Sequence, residues 1–378
     1  MSPALLLPLL CTVTPVDKFT AMRETASQLN AFGMEVMAAI PDSGANRLFS
    51  PTSLSSAMLL LLNGAAGKTE EQIRSVMHLP DSGLPAVNES ASELLNFLRT
   101  PEVTISNAVF SPPSLKLGDD YLSDVRARYA ATIEPLVDTE AAGVRQVNEW
   151  VNTATKHRIP QLIDHLGRNN FVLANAVTFD GQWSTPFDPA NTKPLTFHAP
   201  GADQQVPTMA RHGDMVYRKG DGCQELLLGY VGGHYTMRIM LPDGAVDPNR
   251  FLNSPFELRN FRNQTIDLTL PKFTYSEKMD LKPALSKVGL ASIFKGGDFH
   301  RILPGQPANV SDVIQKTWIA VDEVGTKAAA ATGIVMRAGA RFAPTEPIPF
   351  HIDHPFAFQI VQERTGAILF AGVVKRIG

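Results

Sequence analysis

Along the first third of the chain, apolar side chains recur at helical spacing. Residues 22–40 place Ala26, Leu29, Phe32, Gly33, Val36 and Met37 on one stripe, as a helix with one buried face requires. Residues 53–62 are apolar almost all round, which predicts a second, more deeply buried helix ending near Gly64. Thr69-Glu70-Glu71-Gln72 fits a capping box opening a third helix, since the hydroxyl and the Gln side chain can each satisfy a free backbone donor. The pattern then turns mixed. Residues 103–110 read as a strand, 145–163 as a helix carrying Val147, Trp150, Val151 and Ile159, and 172–179 as a buried strand. From 213 to 273, short β-type runs are punctuated by Val231-Gly232-Gly233 and Pro242-Asp243-Gly244, which predicts an antiparallel meander. Residues 281–288 and 291–294 read as short helices, and 318–321 and 356–374 return to strand patterns. Helices first, strands interleaved and late, with no regular βαβ alternation, predict an α+β protein with several antiparallel sheets.

Composition narrows this picture only a little. At about 150 residues per domain, 378 residues would suggest two or three domains. The 28 Pro and 27 Gly are scattered as turn punctuation, and no repeat or linker appears. The expected organisation is therefore a leader or frayed segment over 1–20 and one domain over 21–378. Hydrophobic residues at 44% against 19% charged exclude a disordered chain. Lys and Arg total 34 against 37 Asp and Glu, so the net charge of −3 argues against a nucleic-acid or polybasic membrane-surface protein. Cys11 and Cys223 are too few for a disulfide scaffold, an iron–sulfur protein or a thiolate zinc site, and they do not decide the compartment. The apolar run 4–11 is too short to span a bilayer. No basic residue precedes it and no small-x-small site follows, so a frayed leader or imprecise start fits better than a secretory signal. Asn88, Asn263 and Asn309 head sequons.

Most candidate chemistry fails on inspection. Gly64-Ala65-Ala66-Gly67-Lys68-Thr69 resembles a phosphate loop, but Leu62 stands where the first Gly is needed and the segment follows a helix. His351 and His354 form an H-x-x-H pair beside Pro355, more in keeping with a strand start than a metal site. There is no G-x-S-x-G elbow, H-E-x-x-H or C-x-x-C, so neither a catalytic constellation nor a cofactor is expected. The most unusual stretch is Glu323-Val324-Gly325-Thr326-Lys327-Ala328-Ala329-Ala330-Ala331-Thr332. Read as extended chain, it sends Thr326, Ala328, Ala330 and Thr332 to one small, uncharged face and Lys327, Ala329 and Ala331 to the other. Such a segment could slide between two strands without burying a charge; a mobile Ala-rich linker is the competing reading.

Motifs spread over nearly the whole chain resemble the serpins, the serine protease inhibitor family. Phe49-Ser50-Pro51-Thr52-Ser53-Leu54 is similar to the family's opening of its second helix, and Asn63 to Thr69 to the loop that follows. Asn175, Ala176, Phe179, Gly181, Trp183, Pro186 and Phe187 match N-A-x-x-F-x-G-x-W-x-x-P-F. Pro271-Lys272-Phe273, Asp353-His354-Pro355-Phe356 and the run from Thr365 to Gly372 match further family strands. The resemblance implies three β-sheets, eight or nine helices and an exposed reactive loop, here about 323–349. It implies an inhibitor, not an enzyme: a target serine protease, with cysteine proteases as an extension, attacks the loop and is trapped as the loop inserts into the largest sheet. The runner-up is a non-inhibitory carrier or chaperone. An extracellular or cell-envelope location and a monomer go with this reading, an intracellular location staying open.

Carried over residue by residue, Ser50, Ser53 and Asn175 match the family's shutter beneath the sheet opening, with Gln315 where a His is common. Trp183, Lys272 and Glu323 match the breach where insertion begins, and Glu323, Gly325, Thr326, Ala328, Ala329, Ala330, Ala331 and Thr332 match the hinge. Lys327 stands where the family usually has Glu. The family's usual spacing from the hinge places the scissile bond at Gly339–Ala340, suited to an elastase- or subtilisin-like protease. Arg341 and Arg337 are alternatives that would invite a trypsin-like enzyme. No basic stripe occupies residues 91–99, so no heparin site is indicated.

Overall fold

The computed structural model describes residues 18–112, 114–137, 139–166, 171–220, 222–305, 310–326 and 346–378. Within them the helices are α1 (Lys18–Ala39), α2 (Pro51–Gly64), α3 (Gly67–Val76), α4 (Leu84–Leu98), α5 (Asp119–Tyr129), α6 (Glu140–Ala154), α7 (Asn249–Leu252) and α8 (Lys282–Leu285). The first strands are β1 (Arg47–Phe49), β2 (Val103–Ser111), β3 (Thr132–Pro135), β4 (Phe171–Phe179) and β5 (Gly181–Gln182). The middle of the chain supplies β6 (Lys193–Ala199), β7 (Ala202–Gly220), β8 (Cys223–Gly229), β9 (Tyr235–Pro242), β10 (Arg262–Pro271) and β11 (Phe273–Asp280). The last are β12 (Val310–Val321), β13 (Gly325–Thr326), β14 (Ile348–His351), β15 (Phe356–Gln362) and β16 (Ile368–Val374).

Hydrogen bonding joins these strands into a seven-stranded sheet, β3-β2-β4-β12-β13-β5 with β11 on β12, and a nine-stranded one, β1-β16-β15-β9-β8-β7-β10-β14 with β6 on β7. The larger divides naturally at the long β7. Its first part pairs with β6 and β10, whereas only its last residues, 216–220, pair with β8. Counted that way the expected three sheets are present, two of them continuous through one strand.

The main core fills the space between the sheets, with α2 buried along its length and touching β16 on one side and β4 on the other. The predicted α1 stripe is buried throughout. Gly33 on that stripe lets α1 and α2 close up, since a Cβ there would lie 2.5 Å from Pro51 Cβ. A smaller core sits where α6 and the chain after it cover the outer face of β2 and β4.

Three local expectations are corrected. Thr69 does not cap α3: the helix starts at Gly67 behind Ala66, which gives no side-chain cap. The Thr69 hydroxyl instead accepts from Asp298 N at 2.8 Å, and Gln72 donates to Gly289 O at 2.5 Å. Tertiary partners outcompeted the local motif. The helix placed over 145–163 is α6, which begins earlier because Thr139 caps it and ends at Ala154, where Lys156 and His157 turn left-handed. Ile159 is buried as predicted, but from the returning chain. Residues 18–20, assigned to the leader, are the first residues of α1. α5 was not anticipated; its buried face is only Tyr121, Val125 and Tyr129, in a helix otherwise rich in charge.

Candidate functional site

The seven-stranded sheet has a seam. Over its lower part β4 and β12 are parallel neighbours, with Phe171 to Val177 opposite Val310 to Thr317. Beyond Val177 and Thr317 they part. The chain leaving β12 makes a tight turn in which Asp322 Oδ1 accepts from Val324 N (3.0 Å) and Gly325 N (3.2 Å). It then re-enters the gap as β13, where Thr326 pairs with Val321 on one side and with Gly181 on the other, and Gly325 faces Gln182. Glycine is needed here for space: a Cβ at 325 would lie 2.1 Å from Gly181 O and 2.7 Å from Gln182 Cα. Trp183 N donates to Val324 O and Phe187 N to Glu323 O, both at 2.9 Å. Gly325 and Thr326 therefore already sit in the top of the sheet, where they pair with backbone of Val321, Gly181 and Gln182.

Side chains hold this entrance. Trp183, at 1% exposure, donates from Nε1 to Asp322 O (2.9 Å) and stacks on Tyr230 with centroids 4.6 Å apart. The fully buried Thr326 shares a 2.7 Å hydrogen bond with the Tyr230 hydroxyl, so the face predicted to point inward does so at its first residue. Lys272 Nζ meets both Glu323 carboxylate oxygens, at 2.8 and 3.0 Å, and Thr192 donates to the same carboxylate at 2.8 Å. Burial alone would raise the Glu323 pKa, but the bonds from Lys272, the backbone and Thr192 outweigh it and hold the carboxyl below its ordinary value.

Beneath the closed part of the seam lies a buried polar cluster. Ser50 caps α2, its hydroxyl accepting from Ser53 N at 3.2 Å. The Ser53 hydroxyl donates to Asn175 Oδ1, and Asn175 Nδ2 donates to Asn107 Oδ1 at 2.7 Å. Ser56 donates to Ser53 O (2.8 Å) and to Asn107 Oδ1 (3.2 Å). On the β12 side Gln315 uses both ends of its amide on one residue: Oε1 accepts from Ser50 N and Nε2 donates to Ser50 O, each at 2.9 Å. Gln315 thus makes a closed two-bond pairing with backbone. Both half-sheets, β2–β4 and β11–β12, are tied in this way to the start of α2.

Ser50, Ser53, Asn175 and Gln315 come together, and so do Trp183, Lys272, Glu323, Gly325 and Thr326. Ala328, Ala329, Ala330, Ala331, Thr332, Arg337, Gly339, Ala340 and Arg341 lie outside the described residues. Sequence reasoning missed Asn107, Ser56, Tyr230 and Thr192. Asn107 carried a usable signal: like Asn175 it is an amide inside an apolar strand, and the two are direct cross-strand partners. The other candidates are occupied with structural work. His351 faces Asp267, and His354 lies between Asp353 and Pro242 O. Asn88 is no glycan acceptor in the folded chain, because its buried amide is paired with Asn63 and takes the Tyr129 hydroxyl. Among the described residues no group of His, Cys, Asp and Glu is arranged to hold a metal.

The model of the family described as Serpin (serine protease inhibitor) matches residues 27–377. The chain belongs to the serpins. An uncharacterized serpin-like protein of Thermococcus kodakarensis is 32% identical over 95% of this serpin and 88% of its own length. The leukocyte elastase inhibitor of Xenopus tropicalis is 29% identical, over 93% and 99%. The thermophilic serpin tengpin in its native state superposes with a TM-score of 0.83 at 24% identity, covering 96% of each chain, which shows the fold. The family is one of protease inhibitors, so a target protease is the partner class that membership brings.

Proposed function

We propose that this serpin is a suicide inhibitor of a serine protease: a protease cleaves the loop 323–349 and is trapped as the freed loop enters the seven-stranded sheet between β4 and β12. The carrying observation is the state of the seam, shut from Phe171 to Val177 yet occupied above by Gly325 and Thr326. The slot is begun but not filled. Completing it adds one strand and a ladder of main-chain bonds, and the rest of the hinge offers only Ala and Thr to the inward face, so insertion buries no charge. A non-inhibitory carrier has no comparable support, because Thr326 is already seated in the sheet.

The scissile bond we assign to Gly339–Ala340, with Arg341 and Arg337 as alternatives; the likeness to an elastase inhibitor favours a target accepting small side chains. Mixing the protein with elastase-like and trypsin-like proteases should give an SDS-stable band near the summed masses. N-terminal sequencing of the released C-terminal fragment reads the cleaved bond. Loop cleavage without complex and without gain in thermal stability would refute insertion.

A further inference from the structure

The chain returning from α6 crosses the outer face of the seam as a strap, and it is bonded on both sides. Its apolar residues Ile159, Leu162 and Ile163 are buried with Val172, Ala174 and Ala176 of β4. Its polar groups reach the other half-sheet: Lys316 of β12 donates to Gln161 O at 2.5 Å and Lys278 of β11 meets Asp164 at 2.6 Å. One side chain touches both halves at the height where the strands part. The Arg158 guanidinium lies 2.5 Å from Asp180 Oδ1, the residue after β4, and 4.8 Å from the ring centroid of Trp318, the first β12 residue past the paired stretch. The ion pair is largely shielded, with side-chain exposures of 20% and 12%.

We propose that Arg158 is the gate residue of the seam, its guanidinium bridging Asp180 and Trp318 and its release setting how fast the sheet admits a further strand. The inference rests on the insertion reading above. Neighbouring strands lie about 4.8 Å apart, so a strand placed between β4 and β12 roughly doubles their separation. Arg158 cannot then keep both partners. In an insertion-based trap the loop must enter before the acyl-enzyme is hydrolysed, so a bond broken on entry biases the outcome between inhibition and plain substrate cleavage. The same clamp holds the intact sheet shut.

The test uses a synthetic peptide with the sequence of residues 326–337, annealed into the full-length uncleaved protein and followed by gel shift and by the rise in melting temperature. Arg158→Met, which keeps an apolar stem but no charge, should anneal on the order of tenfold faster, as loss of an ion pair and a cation–π contact together implies. Asp180→Asn, which spares the stacking, should give a smaller acceleration of about threefold, and Arg158→Lys should fall near the parent. Trp318 emission should shift in Arg158→Met and not in Asp180→Asn. If the parent anneals peptide and neither Arg158→Met nor Asp180→Asn is faster, the gate is overturned while insertion stands. A parent that takes up no peptide and forms no SDS-stable complex overturns insertion and the gate with it.

Discussion

The two ends of the seam solve the same problem in opposite ways. Below Val177, β4 and β12 satisfy each other's backbone, and the side chains beneath them form a sealed network of Ser50, Ser53, Ser56, Asn107, Asn175 and Gln315, each at most 3% exposed. Above it the strands are apart, and a third piece of chain, Gly325–Thr326, pairs with Val321 on one side and Gly181 and Gln182 on the other. The closed end is held by buried side chains, the open end by borrowed main chain plus a rim pair, Lys272–Glu323, with the lysine side chain 36% exposed. Burial sets the difference in strength. A network with no access to water loses heavily when one member goes, whereas a rim pair is partly replaced by solvent.

The sharpest way to break the contrast is at a sealed position of the open end. Thr326→Arg puts a cation where the side chain is fully buried and faces Tyr230. The SDS-stable complex should disappear while cleavage continues, and the intact protein should melt earlier. Inhibition equal to the parent would mean that the inserting face is misassigned. Next comes Asn175→Ala, which strips partners from Ser53 and Asn107; it should cost about 2–3 kcal/mol in denaturant unfolding of the uncleaved protein. Gln315→Ala orphans the Ser50 N–H and leaves the Ser50 C=O with Leu54 N alone, and should cost about 1–2 kcal/mol, while Gln315→His, with one donor and one acceptor, should recover much of it. A Gln315→His variant no better than Gln315→Ala would show that the two-bond pairing with Ser50 cannot be rebuilt by an imidazole. Lys272→Ala should be mildest, at about 0.5 kcal/mol.

Acid should separate the two ends in the same sense. The Glu323 carboxyl is depressed in the folded protein, so its contribution is present above the ordinary glutamate value and is lost as pH falls through the lower folded one. Relative to its intrinsic rate, hydrogen exchange at Val324 and Gly325 should accelerate on acidification before exchange at Val172 to Val177 does. Simultaneous acceleration at both ends would remove Glu323 from any role in holding the hinge.

Much of this was legible in the chain. The α1 stripe, the buried α2, the strand around Asn175 and the small, inward Thr326 follow from periodicity and side-chain size, which are local properties. What could be read less well depended on distant partners. Thr69 looked like a helix cap and became an acceptor for Asp298. Asn88 looked like a sequon and became the centre of a buried amide pair. Tyr230 and Thr192 lie 96 and 131 positions from Thr326 and Glu323, beyond the reach of any local pattern.

An α+β fold, the glycine at 325 and motifs similar to one family along the chain are each written in neighbouring residues. Where the sheet is shut, where Gly325 and Thr326 already occupy it, and which side chains span the seam follow from long-range packing. Those depend on the register between strands about 140 residues apart in the chain, and β-pairing carries no record of its partner in either strand alone.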